Sequence, residues 1–276
     1  MNQASDFWDA LAPHHAAIEN NYFDLSSLRR IVHELREPIL VVGAGQGLIV
    51  AELLKSGFRC DGVDFSAEMI RYATLRRGLS LIQADAKAMP LKAGAYQTII
   101  YATGVVDFIG DEAEIKRILG EAKRIVSPTG NIFVAFYRAS AAVEDLLTDL
   151  GLLHNHILSQ REALAINRLG SFQMLRWVAR KAGVGYFGAA LLLMRMTLFS
   201  TLREKMTAMK MKKIFRQMND ASLLIESAPE KLPYRNEAEI RNLFRRLDIP
   251  LEQLTALSSC FIARISPSCL SVAPTV

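Results

Sequence analysis

The four-residue run Ile39-Leu40-Val41-Val42 passes directly into Gly43-Ala44-Gly45-Gln46-Gly47, and no other stretch restricts the possible folds of this chain as much. The run is short, apolar and β-branched, as expected of a parallel strand covered on both faces. Three alternating glycines let the chain bend tightly and approach a ligand with no Cβ in the way. A helix starting near Leu48 then points its free N–H groups at that same place.

A second strand, Arg59 to Val63, leads into Asp64, seventeen residues beyond Gly47. A carboxylate at that strand end can accept both vicinal hydroxyls of a ribose, an arrangement shared by dinucleotide and adenosyl sites. The glycines do not match Gly-x-Gly-x-x-Gly, because Leu48 or Val50 stands where the third glycine is needed. A phosphate-binding Gly-x-x-x-x-Gly-Lys-Ser/Thr is absent as well, so the spacing favours a ligand without a pyrophosphate. After a third strand, Leu79 to Gln83, Asp85 is placed to accept an adenine amine while the Ala86 N–H serves the ring nitrogen. Met69 is a candidate to pack on the adenine, and equally a candidate to fill core.

Strand and helix alternate through this region. Leu48–Ser56 predicts a helix closed at Gly57, and Ser66 caps another that runs to Arg77 and closes at Gly78. Thr98–Ala102 is a fourth strand, Glu112–Val126 a helix stopped by Ser127-Pro128-Thr129-Gly130, and Asn131–Phe136 a fifth strand. The alternation breaks off near Arg138 and resumes near Arg235, with a helix over Asn236–Arg246 and strands over Glu252–Ser258 and Ser259–Ile265. The expected fold is therefore α/β: a doubly wound, mostly parallel seven-stranded sheet carrying an inserted helical cap. The domain reading is an N-terminal helical lid over residues 1–37, with helix from Ser5 to Glu37 ended by Pro38, and an α/β core over 38–138. An inserted cap spans 139–234, the chain returns to the core over 235–266, and 267–276 is a flexible tail.

Net charge is +5, but its distribution is uneven. Between Arg161 and Arg216 there are twelve basic residues and two acidic ones, so the basic character belongs to the insertion and not to the fold. Three scattered cysteines and no clustered histidines suggest neither a disulfide framework nor a metal site. The polar, acidic start Met1-Asn2-Gln3-Ala4-Ser5-Asp6 is unlike a secretory signal, so a cytoplasmic location is expected.

Val41–Gly47, Gly62–Met69 and Ala84–Leu91 together resemble the successive motifs of class I S-adenosylmethionine-dependent methyltransferases. The resemblance covers about Ile39 to Phe136 and returns more weakly from Arg235 to Ile265. It implies a Rossmann-like methyltransferase fold with S-adenosyl-L-methionine as cofactor. By resemblance Gly43, Gly45 and Gly47 wrap the methionyl part, Asp64 takes the ribose, and Asp85 and Ala86 the adenine, with Ala44, Phe65 and Met69 as further cofactor-binding candidates. Ala102 and Thr103 flank the sulfonium. Val41 stands where the family has an acidic residue, leaving the methionyl amine short of a carboxylate.

Methyl transfer needs an in-line nucleophile and only sometimes a base. His14 and His15 are candidate bases near neutral pH, and Asp107, in the loop after the fourth strand, is a candidate for catalysis or acceptor contact. Tyr22, Phe108 and Tyr137 complete the acceptor-side set. Gly185–Phe199 is strongly apolar but interrupted by Arg195 and shorter than a secure membrane span. After it, Met211, Ile214, Phe215 and Met218 share one helical face. Such a segment suits a small apolar or lipid-like acceptor, or an anionic membrane surface at the inner face of a membrane. Nucleic acid is not expected, since no zinc module or recognition fold is visible. The alternatives are a non-catalytic S-adenosylmethionine-binding scaffold and, more remotely, an NAD-dependent oxidoreductase.

Overall fold

The computed structural model describes residues 3–18, 25–138, 160–200, 202–218, 220–228, 235–257 and 260–269. The chain divides into two compact units, Leu11–Arg138 with Pro233–Val276 and Met1–Ala10 with Ala139–Leu232.

The first unit is built on a seven-stranded sheet with the order β3-β2-β1-β4-β5-β7-β6. Its strands are β1 (Ile39–Val42), β2 (Cys60–Asp64), β3 (Ile82–Gln83), β4 (Tyr96–Tyr101), β5 (Val126–Tyr137), β6 (Gln253–Ala256) and β7 (Cys260–Ile265). β1 to β5 pair in parallel, whereas β7 runs antiparallel to both β5 and β6.

Alternate strand residues feed two different apolar layers. Leu40, Val42, Ile99, Tyr101, Ile132 and Val134 pack with α5 (Glu112–Ile125) and α11 (Glu237–Arg246). Ile39, Val41, Ile100, Phe133 and Ala135 pack with α2 (Leu25–Ile31), α3 (Leu48–Lys55) and Ala73 of α4 (Ala67–Arg77). The period of two along each strand therefore makes the sheet doubly wound. Val41 is wholly buried in the second layer, so the position where the resemblance calls for an acid is here a packing position.

Several boundaries differ from the sequence expectation. α2 closes at Ile31, a 3-10 turn covers Val32–Glu34 and Leu35 is extended, so helix does not continue to Glu37. β3 is two residues long because Leu79 belongs to the end of α4: Gly78 is left-handed (φ +66°) and the Leu79 N–H reaches back to the Ala73 carbonyl. β5 begins earlier than expected, at Val126 and not Asn131, and takes in the helix stop Ser127–Gly130 as an irregularity between the Val126–Tyr96 and Asn131–Thr98 pairs. Pro267–Cys269 form a 3-10 turn where a loose tail was expected.

In the second unit the described helices include α6 (Gln160–Ile166), α7 (Ser171–Ala182), α8 (Tyr186–Phe199), α9 (Leu202–Gln217) and α10 (Ser222–Glu226). The face of α9 singled out in the sequence points inward: Ile214 and Phe215 are buried and Met211 and Met218 half-buried. It is therefore not the exposed apolar surface of this helix.

Candidate cofactor-binding and active site

The glycine turn lies at the carboxyl end of β1. Gly43, Gly45 and Gly47 all have positive φ (+69°, +55° and +80°), which L side chains rarely adopt. Two of them also sit too close to neighbours to carry a side chain. A Cβ on Gly43 would lie 2.2 Å from Val105 Cγ2, and one on Gly47 would lie 2.4 Å from Leu79 Cδ1. The Ala44 N–H bonds the Val63 carbonyl at 3.0 Å, and Gly47 begins α3, its carbonyl accepting from the Ala51 N–H.

Asp64 ends β2 and is almost entirely buried. One carboxylate oxygen accepts the Gly45 N–H at 2.7 Å and the other accepts the Ser66 N–H at 2.9 Å. The second strand end and the glycine turn are thus held by charge-assisted bonds to a single side chain. Ser66 caps α4 by accepting the Met69 N–H, and Met69 itself is fully buried. Phe65 is half-buried between them, its carbonyl accepting from the Gln83 amide. Asp64 pairs with Gln83 of β3, so Asp85 follows at the adjacent strand end, on the same edge of the sheet. Asp85 accepts the Lys87 N–H at 2.9 Å and lies 3.6 Å from the Lys87 ammonium, which also meets Glu114 at 3.1 Å. Ala86 packs at the margin of the first apolar layer.

The end of α1 (Gln3–His15) closes one side of this turn. Helix ends leave carbonyls without intrahelical partners. Here the buried Gln46 amide donates to the Ala12 carbonyl, and Arg76 donates both to the Gln46 side-chain oxygen at 2.9 Å and to the Pro13 carbonyl at 3.2 Å. Arg77 donates to the Gln46 backbone carbonyl. His15 is brought over the turn, with its Cε1 only 3.4 Å from the place a Gly45 Cβ would occupy. Gln46, Arg76 and Arg77 carry this arrangement and were missed in the sequence. Gln46 stood inside the glycine motif, but nothing local marked the arginines.

Beyond β4, the Ala102 N–H bonds the Val42 carbonyl at 3.0 Å, and Thr103 and Gly104 begin the next turn. Asp107 is the sequence candidate for catalysis or acceptor contact. It is buried, accepting the Gly104 N–H at 2.8 Å and the Tyr137 N–H at 3.1 Å, with the Arg235 guanidinium at 3.5 Å. It ties the loop after β4 to the end of β5 and to the start of the returning segment. Phe108 and Tyr137 meet edge to face with ring centroids 5.9 Å apart. Tyr22 lies outside the described residues.

The strand order with its single reversed strand, β7, is accompanied by a family match: residues 40–134 fit the model described as a methyltransferase domain. Over those residues the chain carries a methyltransferase domain. A stretch of 110 residues is 28% identical to a demethylmenaquinone methyltransferase of Mycolicibacterium gilvum, covering 37% of this chain and 48% of that protein. A demethylmenaquinone methyltransferase of Thermus thermophilus is 30% identical over 100 residues, 34% of this chain and 44% of that one. The chain thus spans less than half the length of these curated relatives. Among solved structures, a protein of Pyrococcus horikoshii OT3 is similar with a TM-score of 0.49 and 14% identity, covering 88% of this chain and 89% of that one.

Half-buried His15 and buried Asp107 titrate out of their ordinary range, in opposite senses. Burial, then Arg77 and Arg76, pushes His15 down to about 4, so it is neutral and weakly basic near pH 7; the expectation of a near-neutral base is corrected. His14 is lowered too, by burial and then Arg76. Burial raises Asp107 to about 6, against the pull of Arg235 and the backbone N–H groups of Gly104 and Tyr137.

For His15 the unfolded chain binds more protons between about 4 and 6.5, so its contribution to stability is present above that window and lost as pH falls through it. For Asp107 the folded chain binds more protons between 3.8 and about 6, so its contribution is lost as pH rises. The two slopes offset one another, each on the order of 3 kcal/mol across its window. Relative to the parent, Asp107→Asn should therefore gain stability with rising pH, and His15→Gln should lose it. Chemical denaturation at intervals across the window reads both, and parallel profiles for all three proteins would refute the assignment.

Proposed function

We propose that this chain transfers a methyl group from S-adenosylmethionine to a small, largely apolar, lipid-like acceptor. The observation that carries the proposal is the Asp64 carboxylate bonded at once to the Gly45 and Ser66 N–H groups. It makes the ribose-side acid and the glycine turn one preorganised unit beside Asp85. The residues present suit the cofactor: three glycines with positive φ leave no Cβ on the turn, and a carboxylate oxygen can accept more than one hydrogen bond. When bound, S-adenosylmethionine supplies an electrophilic methyl carbon on a sulfonium.

In this reading Gly43, Ala44, Gly45 and Gly47 hold the methionyl part, with Ala102 and Thr103 alongside it. Asp64 and Phe65 hold the ribose, and Asp85, Ala86 and Met69 border the adenine. The domain's own contribution is to orient the reactants and exclude water, which needs no dedicated base when the acceptor arrives deprotonated. Phe108 and Tyr137, fixed by the Asp107 tie, form the acceptor-side wall. Asp107 acts there through position and not by touching the reacting atoms.

The apolar acceptor is supported by the names of both curated relatives, which specify demethylmenaquinone, a quinone. The apolar, basic composition of the inserted segment agrees with it. Such an acceptor dissolves in bilayers, which suits a cytoplasmic enzyme working peripherally at the inner face of a membrane. Val41 favours one competing reading, a scaffold that binds the cofactor without turning it over.

Calorimetric titration with S-adenosylmethionine, S-adenosylhomocysteine and NAD, followed by incubation with methyl-labelled cofactor and a reduced quinone lacking the ring methyl, tests both. The expected result is binding of the first two ligands and label in the organic phase. Binding of NAD alone would overturn the cofactor. Binding without transfer to the quinone or to any component of a lipid extract would establish the scaffold.

A further inference from the structure

The helices of the second unit present an apolar surface that the burial of Ile214 and Phe215 does not use. Along α8, Phe187, Leu191, Met194 and Leu198 recur at i, i+4, i+7 and i+11, a single face, and all four are exposed. Phe187 is 80% exposed and Leu198 68%, while Ala189 on another side of the same helix is fully buried. The stripe continues on α9 with Leu202, 74% exposed, and Met206. The Phe172 ring, at the start of α7, stacks on the Tyr186 ring at the start of α8 with centroids 6.5 Å apart.

The same helices carry exposed basic side chains: Arg176 and Arg180 on α7, Arg195 on α8 and Lys205 on α9. The surrounding segment holds twelve basic residues and two acidic ones. Among the described residues no single helix is long and apolar enough to cross a membrane, and α7 and α8 bend by 104° at the break between them. The fourteen residues of α8 reach ~21 Å at 1.5 Å per residue, short of the ~30 Å hydrocarbon core. An apolar stripe of that length with cations on the same helices suits lying in an interface and not spanning one.

We propose that α8 and the start of α9 dock on an anionic bilayer, burying Phe187, Leu191, Met194, Leu198 and Leu202 among the acyl chains while the arginines and lysine of these helices meet the headgroups. The charge balance selects this occupant, since a surface this basic is complementary to anionic lipid and repels a second copy of itself. The proposal deepens the apolar-acceptor reading, and rests on it for the purpose of docking, by naming where such an acceptor would be met. The binding itself is independent of the cofactor.

The test is flotation of the purified full chain with phosphatidylcholine vesicles and with vesicles containing phosphatidylglycerol, beside the doubly substituted Phe187→Ser/Leu198→Ser protein and an Arg180→Gln/Arg195→Gln protein. The parent should float with the anionic vesicles at low salt and progressively less as salt rises. Both variants should partition at least tenfold more weakly, with unchanged melting behaviour, because the replaced side chains are exposed. Failure of the parent to float with anionic vesicles, or flotation of the serine variant equal to the parent, would overturn the proposal. So would sedimentation showing a stable dimer that the serine substitutions dissolve. Calorimetry with S-adenosylmethionine on the same samples separates the two readings: loss of flotation with intact cofactor binding removes only the docking surface, and the converse removes only the cofactor site.

Discussion

Asp64→Ala is expected to weaken S-adenosylmethionine binding at least tenfold, about 1.4 kcal/mol, and to destabilise the fold as well. The carboxylate accepts from the Gly45 and Ser66 N–H groups inside a nearly closed site, so alanine leaves two donors without their present acceptor. Hydrogen bonds to a charged group are worth roughly 1.5–3 kcal/mol each, and lost ones are replaced by water only where water can enter. A cost of about 2–4 kcal/mol in stability is therefore expected alongside the loss of affinity. Asp64→Asn separates the two effects. Its carbonyl oxygen can keep one backbone bond while its NH2 faces the other donor, so it should lose roughly 1.5–3 kcal/mol of stability, less than alanine loses, and bind the cofactor poorly for want of charge. Calorimetric titration of melt-checked protein decides the matter, and parental affinity in a folded Asp64→Asn or Asp64→Ala protein would remove the ribose role.

Gly43→Ala should be strongly destabilising. The position has φ +69°, where an L residue costs roughly 1–2 kcal/mol. The new Cβ would also lie 2.2 Å from Val105 Cγ2, an overlap that must displace one of the two segments. Overpacking of this kind costs about 1–3 kcal/mol, so the total is about 2–5 kcal/mol. Val105 lies on the loop that runs from Ala102 to Phe108, so the displacement would disturb the cofactor turn and the acceptor wall together. Adding Val105→Ala should recover the steric part and leave the backbone part, a coupling that a double-mutant cycle in urea reads directly. A Gly43→Ala cost within about 0.5 kcal/mol, the range of an ordinary surface change, would show that the turn is not held as described.

What was legible in the chain follows the range of the interactions involved. β1, β2 and β4, the helix with Ser66 as cap and Gly78 as terminator, the helix over Asn236–Arg246, and the order of crossovers could all be read from patterns a few residues long. Expectation and structure parted where a distant group decides. Leu79 looked like strand but is drawn into the cap of α4, where it packs beneath Gly47. β5 looked to start at Asn131 but starts at Val126, because Val126 pairs with Tyr96 across the Ser127–Gly130 irregularity. His15 has the composition of a surface base, yet the partners that bury it and lower its basicity come from α3's entry turn and from α4. Asp107 could not be assigned its tie to Arg235 by any local rule, because the two are joined only after the returning segment reaches the sheet.

By itself the sequence determined the class of fold, the glycine turn with its paired carboxylates and hence the kind of cofactor to test, because backbone sterics, strand period and helix capping act over a turn or less. Only the tertiary structure decided which side chains are buried, which groups titrate, and which of the two apolar faces of α9 remains exposed. Leu202 and Met206 lie on one side of that helix and Ile214 and Phe215 on another. Periodicity marks both as apolar, and burial is a property of what packs against them.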